Sequence, residues 1–160
     1  MISRFFAVLI VLILSSIPSL AQEAGGAAKL FRGGDSEISI SKLVTNESNQ
    51  TEFIDVTLRW KDWFYSTRSS EFLPSKYLEF FNFEKNMPST FHTSTANQIL
   101  IILEGTLIIE ASSGEVREFP PGTAVWETDI EPTSEGHKAR MKDGISGYGV
   151  KITIDHRKLR

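Results

Sequence analysis

The chain has no cysteine at all, so neither a disulfide framework nor a thiol nucleophile is open to it. A folded domain without disulfides has to rest on its core, which excludes a small stapled toxin or growth factor. Charge of one sign is also scarce. The formal net charge is -3, and no basic stripe stands out. Nucleic acid is therefore not an expected partner. Helix-length amphipathic segments and internal repeats are missing. So are a Gly-x-Ser-x-Gly elbow, a phosphate-binding glycine loop and a His-Glu-x-x-His pair. The glycines Gly33 and Gly34 precede no helical pattern, so they do not form a nucleotide-binding turn. Histidine is rare, with three in 160 residues, so the position of each one carries information.

What is present begins with an export signal. Arg4 gives a positive start, Phe5 to Leu14 is an uncharged apolar run, and Ser19-Leu20-Ala21 offers small residues for cleavage. The run is shorter than the ~20 residues that a membrane span needs. Residues 1–21 are expected to be a signal peptide, removed on export, and no membrane contact is expected after cleavage. The expected compartment is the periplasm, with full secretion as the alternative. Residues 22–36 are rich in Gly and Ala and lack an apolar repeat, which predicts a flexible lead-in.

Residues 37–160 have room for one domain with one core. The pattern there is of strands. Ile38 to Val44 and Phe53 to Trp60 alternate approximately, and so does Tyr77 to Phe83. Gln98 to Leu103 is nearly all apolar, and Thr106 to Ala111 returns after the turn at Glu104-Gly105. Glu115 to Phe119, Ala124 to Trp126, His137 to Lys142 and Tyr148 to Ile154 complete the series. The turns carry Gly and Pro, most clearly Pro120-Pro121-Gly122, where Gly122 can take positive φ. Residues 61–76 are aromatic but irregular, and predict a loop or short helix against the sheets. Many short strands split by such turns predict an all-β sandwich or barrel.

One segment has a recognisable frame. It reads Asn86, MPSTF, His92-Thr93-Ser94, TAN, Gln98, ILIILE, Gly105. A second holds Pro120-Pro121-Gly122 and later Gly136-His137. Together these resemble the two conserved motifs of the cupin superfamily. In the first motif the spacing holds throughout, with Ser94 where a second His is usual and Gln98 where a Glu is usual. In the second, the intervening segment is a few residues longer than standard, and the closing Asn is absent. Glu127 and Asp129 stand roughly where a subgroup of cupins carries an acidic pair.

The resemblance implies a cupin-like jelly-roll barrel, also described as a double-stranded β-helix. It also implies a metal site of three His and one Glu, suited to Fe, Mn, Ni, Cu or Zn. Carried onto this chain, the metal ligands would be His92, His137 and Gln98. The ligand pocket would hold His92, Ser94, Gln98, Glu127 and His137. Strand periodicity places Gln98, Leu100 and Ile102 on one face and His137, Ala139 and Met141 on another, an apolar surface with few polar groups.

Two strong ligands of four remain, so the first expectation is a protein that binds a small molecule, a carboxylate or a sugar-like compound, with at most a weak metal site. A metal-dependent oxygenase or isomerase on the same residues is the alternative, and a non-catalytic interaction protein is a third. The blander readings are also concrete: His92 and His137 as hydrogen-bonded pocket residues, Gln98 as a satisfied polar group at a strand entrance, Glu127 and Asp129 as a polar loop. A homodimer is implied by the resemblance, through exchange of the first two strands.

Overall fold

A computed structural model describes residues 37–62, 67–70, 73–87 and 89–155. The expected signal peptide (1–21) and lead-in (22–36) lie outside the described residues, as do residues 63–66 and 156–160. Eleven strands run in chain order: β1 Glu37–Thr45, β2 Thr51–Arg59, β3 Lys61–Asp62, β4 Arg68–Ser69, β5 Ser75–Phe83, β6 Gln98–Glu104, β7 Leu107–Ala111, β8 Val116–Phe119, β9 Ala124–Glu127, β10 His137–Met141 and β11 Gly147–Ile154. The fold is all-β. The one helical element among the described residues is a single 3-10 turn at Lys142–Gly144, and no helix there is long and apolar enough to cross a membrane.

Nine of the described strands form two facing layers, and β3 and β4 pair apart from them. A six-stranded sheet has the order β2-β1-β9-β6-β11-β5, and a three-stranded sheet has the order β10-β7-β8. All pairings are antiparallel except β1 with β9. Alternation along each strand decides which residues meet between the layers. Leu43, Phe53, Phe83, Leu100, Ile102 and Val125 come from the larger sheet. Leu107, Ile109, Ala111, Phe119, Ala139 and Met141 come from the smaller one. Intervening residues Ile40, Ile99, Ala124 and Trp126 point the other way and build a second apolar cluster on the outer face of the larger sheet, with Ile154 of β11 joining them. The chain from β2 to β5 links the two opposite edges of that sheet. Leu73, on this link, packs against the outer cluster together with Ile38, Leu58, Ile101 and Ile152.

Two expectations need correction. Residues 61–76 were predicted as a loop or short helix, but they contain the antiparallel pair β3–β4, with Lys61 opposite Ser69 and Asp62 opposite Arg68. An aromatic segment without a period hides so short a ladder. The second concerns closure. The described strands do not close into a barrel, because the small sheet ends at β8 and the large one at β2 and β5. Between β8 and the β1–β2 pair, the Arg117 side chain spans the gap instead of a backbone ladder. Its guanidinium donates to Asp55 and Ser41, pairs with Glu115, and lies over the Phe53 ring. Arg117 is therefore a largely buried strut between the two sheets. The first two strands lie in the chain's own large sheet.

Outside the two sheets, one contact fixes the segment that precedes β6. His92 and His137 form an isolated antiparallel bridge, with His92 N–H donating to His137 O at 2.8 Å and the reverse bond at 2.9 Å. This close approach is possible because Gly136 has no side chain. Its φ is +76°, and a Cβ there would collide with the His92 carbonyl. Gly114 has a similar φ of +93° but open space around it. Both Gly114→Ala and Gly136→Ala incur the left-handed penalty of about 1–2 kcal/mol. Gly136→Ala must also displace backbone, so it is expected to be the more destabilising of the two in urea unfolding. Equal losses would show that the His92–Gly136 contact is not close in solution.

Candidate functional site

The polar residues singled out from sequence gather at one end of the interior. Gln98 opens β6 and Glu127 closes β9, and the sheet register sets them directly opposite each other. Side chains opposite one another on a sheet share a face, so the contact follows from the register. Gln98 Nε2 donates to Glu127 Oε2 at 2.6 Å. His137 opens β10 in the facing sheet, two residues before the core residue Ala139 and four before Met141, on the same face. Its Nε2 lies 3.8 Å from Glu127 Oε1, beyond hydrogen-bond reach. The His92 ring packs at 4.8 Å, centroid to centroid, from the His137 ring.

The centre of the cluster is a residue that the sequence reading left in a loop. Asp129 is 0% exposed. Its carboxylate accepts from Ser94 Oγ at 2.5 Å, from His137 Nδ1 at 2.7 Å and from Thr51 Oγ1 at 3.2 Å. Ser134 Oγ stands 3.0 Å from Thr51 Oγ1 and extends the network. The polar-loop reading of Glu127 and Asp129 therefore fails, since both are buried. Asp129 and Thr51 are the residues that sequence reasoning missed. The available signal was the acidic pair two residues apart before Gly136-His137. Nothing local marks Thr51, which reaches Asp129 across 78 positions of chain.

Each expected ligand now has a definite place. Ser94 is buried and committed to Asp129. Gln98 is buried and turns its amide nitrogen to Glu127. His92 is exposed, at the rim, with Nδ1 at 2.8 Å from the Thr90 carbonyl. Among the described residues, no group of three or more His, Asp or Glu is arranged to hold a metal ion. The nearest approach is the pair His137 Nε2 and Glu127 Oε1. Two donors each about 2.0–2.1 Å from an ion can lie up to about 4.2 Å apart, so their 3.8 Å separation spans one ion. A third donor is not in place.

The electrostatics follow from burying two carboxylates with one imidazole. Desolvation pushes the Glu127 carboxyl up from its ordinary range, and the Asp129 charge adds to the rise. His137 and the Gln98 hydrogen bond oppose it without cancelling it. For His137, burial alone would lower the imidazole. The hydrogen bond to Asp129 and the charges of Glu127 and Asp129 outweigh burial and leave it raised. Both groups thus hold protons more tightly folded than unfolded.

Compared with models of protein families, with curated proteins and with solved structures, the chain finds no match in any of the three.

A native state that binds more protons than the unfolded chain loses stability as pH rises. For His137 the contribution is complete below its ordinary 6.5 and is lost as pH climbs through the raised folded value. For Glu127 the loss begins above its ordinary 4.5. Unfolding free energy measured from about pH 5 to about pH 9 is expected to fall in the wild type and to fall less steeply in Glu127→Gln. Identical slopes would show that Glu127 does not hold a proton in the folded chain.

Proposed function

We propose that the chain is an exported cupin-like jelly-roll domain that binds a small, neutral, hydroxyl-rich molecule over the Glu127–His137 pair. The observation that carries this is the orientation of His137. Asp129 fixes its Nδ1, which directs Nε2 toward Glu127 at the interior end of the sandwich, with His92 at the rim. Two layers of strands, the motif frame ahead of β6, the Pro-Pro-Gly turn before β9 and His137 at the head of β10 support the cupin-like reading. A protonated Glu127 and His137 donate, and the same groups accept when they lose their protons, so the pair suits hydroxyl groups of either polarity. A carboxylate ligand would set a third acid beside Glu127 and Asp129, and two buried acids already disfavour that. Binding is the reading; the described groups do not define a reaction.

A second reading rests on a separate observation. An imidazole oriented by a carboxylate through one nitrogen, with the other nitrogen aimed outward, is the usual arrangement around a bound metal. Here Asp129 would orient, His137 and Glu127 would ligate, and His92 would have to turn inward. A resident Fe, Mn, Ni, Cu or Zn ion would supply Lewis acidity.

One experiment separates the readings. The protein, purified without chelator or metal resin, is analysed for metals. It is then challenged, by thermal shift and by ligand-detected NMR, with neutral sugars and polyols, with small carboxylates and with each divalent ion. Binding of neutral hydroxylated compounds, lost in His137→Ala and weakened about tenfold or more in Asp129→Asn, is the expected result. Stoichiometric metal, lost in His137→Ala and tightened in Gln98→Glu, would replace the first reading by the second. No response to any class would sink both.

A further inference from the structure

The two edges of the large sheet are built differently. The β2 edge carries Glu52, Asp55 and Arg59, charges that keep another strand away. The β5 edge has β11 on one side and no strand on the other among the described residues. Yet eight of its nine residues are exposed, and they include Phe80 at 78%, Leu78 at 62% and Tyr77 at 60%. A long apolar edge strand with unpaired backbone groups is a template for another strand.

The occupant follows from the strand's own sequence. In an antiparallel pair of identical strands about a two-fold axis, residues i and j that face each other have a constant sum. An axis through Glu79 sets that acid, which Lys151 of β11 already pairs at 2.7 Å, against its own copy and forms no new charge pair across the seam. An axis through Leu78 sets Lys76 against Phe80. An axis through Phe80 sets Phe80 against Phe80, Leu78 against Asn82 and Tyr77 against Phe83. It also places Lys76 opposite Glu84 at both ends, so the register is complementary in charge as well as apolar at its centre.

We propose that β5 pairs antiparallel with β5 of a second copy of this chain, about a two-fold axis at Phe80, joining two six-stranded sheets into one. This surface lies on the edge opposite β2, and it stands independently of what the polar end of the sandwich binds.

The absence of cysteine makes the test direct. Facing Cα atoms in an antiparallel pair lie about 4.5–5.5 Å apart, within the range of about 4.4–6.8 Å that a disulfide spans. Phe80→Cys is expected to cross-link to itself on mild oxidation. Leu78→Cys is expected not to, because its copies stand about 14 Å apart in this register. In sedimentation velocity the unmodified protein should run as a dimer and Phe80→Lys as a monomer that keeps its β-sheet circular dichroism and melts at a temperature independent of concentration. Lys76→Glu alone should weaken association about tenfold, and adding Glu84→Lys should restore it. A monomeric wild type, a Phe80→Lys dimer, or cross-linking of Leu78→Cys as readily as Phe80→Cys would each overturn the proposal.

Discussion

The interior end of the sandwich depends on the carboxylate of Asp129. A fully buried carboxylate is tolerable only where hydrogen bonds replace its water. Asp129 obtains them from three distant parts of the chain: Thr51 at the start of β2, Ser94 ahead of β6 and His137 at the head of β10. Each bond to a charged acceptor contributes about 1.5–3 kcal/mol. More important than their sum is their direction. The bonds pull the first strand pair, the motif segment and the small sheet toward one atom group. They hold His137 in one orientation while doing so.

That arrangement also explains why an amide suits position 98. Glu127 already supplies the acid that faces His137. A second acid opposite it in the register would repel it, whereas the Gln98 amide donates to it at 2.6 Å. In the cupin-like frame the acid is expected on β6. Here the acid stands on β9, the adjacent strand, and the β6 position provides the donor that supports it. Burial raises the Glu127 carboxyl, and the hydrogen bond to Asp129 with the nearby acidic charges raises the His137 imidazole. Perturbed groups of this kind are costly to a fold, and they are held here by the hydrogen bonds of Asp129 and Gln98.

The strands were legible in the sequence because their alternation is driven by burial on one face. Every strand from β5 to β11 begins and ends within two residues of where the pattern placed it. The turn at Pro120-Pro121-Gly122 was legible because only a few residues permit its geometry, and Gly122 has φ of +83°. What stayed hidden depends on distance along the chain. The burial of Asp129 is decided by Thr51 and Ser94, and an acid two residues from another acid looks like a loop until those partners are known. Closure was equally hidden, since the Arg117 strut joins residues 62 positions apart by side chains alone.

The topology links the polar end and the apolar edge through a single intervening strand. Thr153 of β11 stands opposite Gln98 on one side and opposite Tyr77 of β5 on the other. The start of β5 therefore lies at the same end of the sheet as the site, and Phe83 at the far end reaches the core. Antiparallel pairing about Phe80 would carry the second copy's polar end to the opposite end of the joined sheet. The two Glu127–His137 pairs would then lie toward opposite ends of the joined sheet, each in the half that ends on its own β2 edge. Glu127 and His137 are already buried within one chain, and the proposed seam at β5 lies two strands from β6 and three from β9.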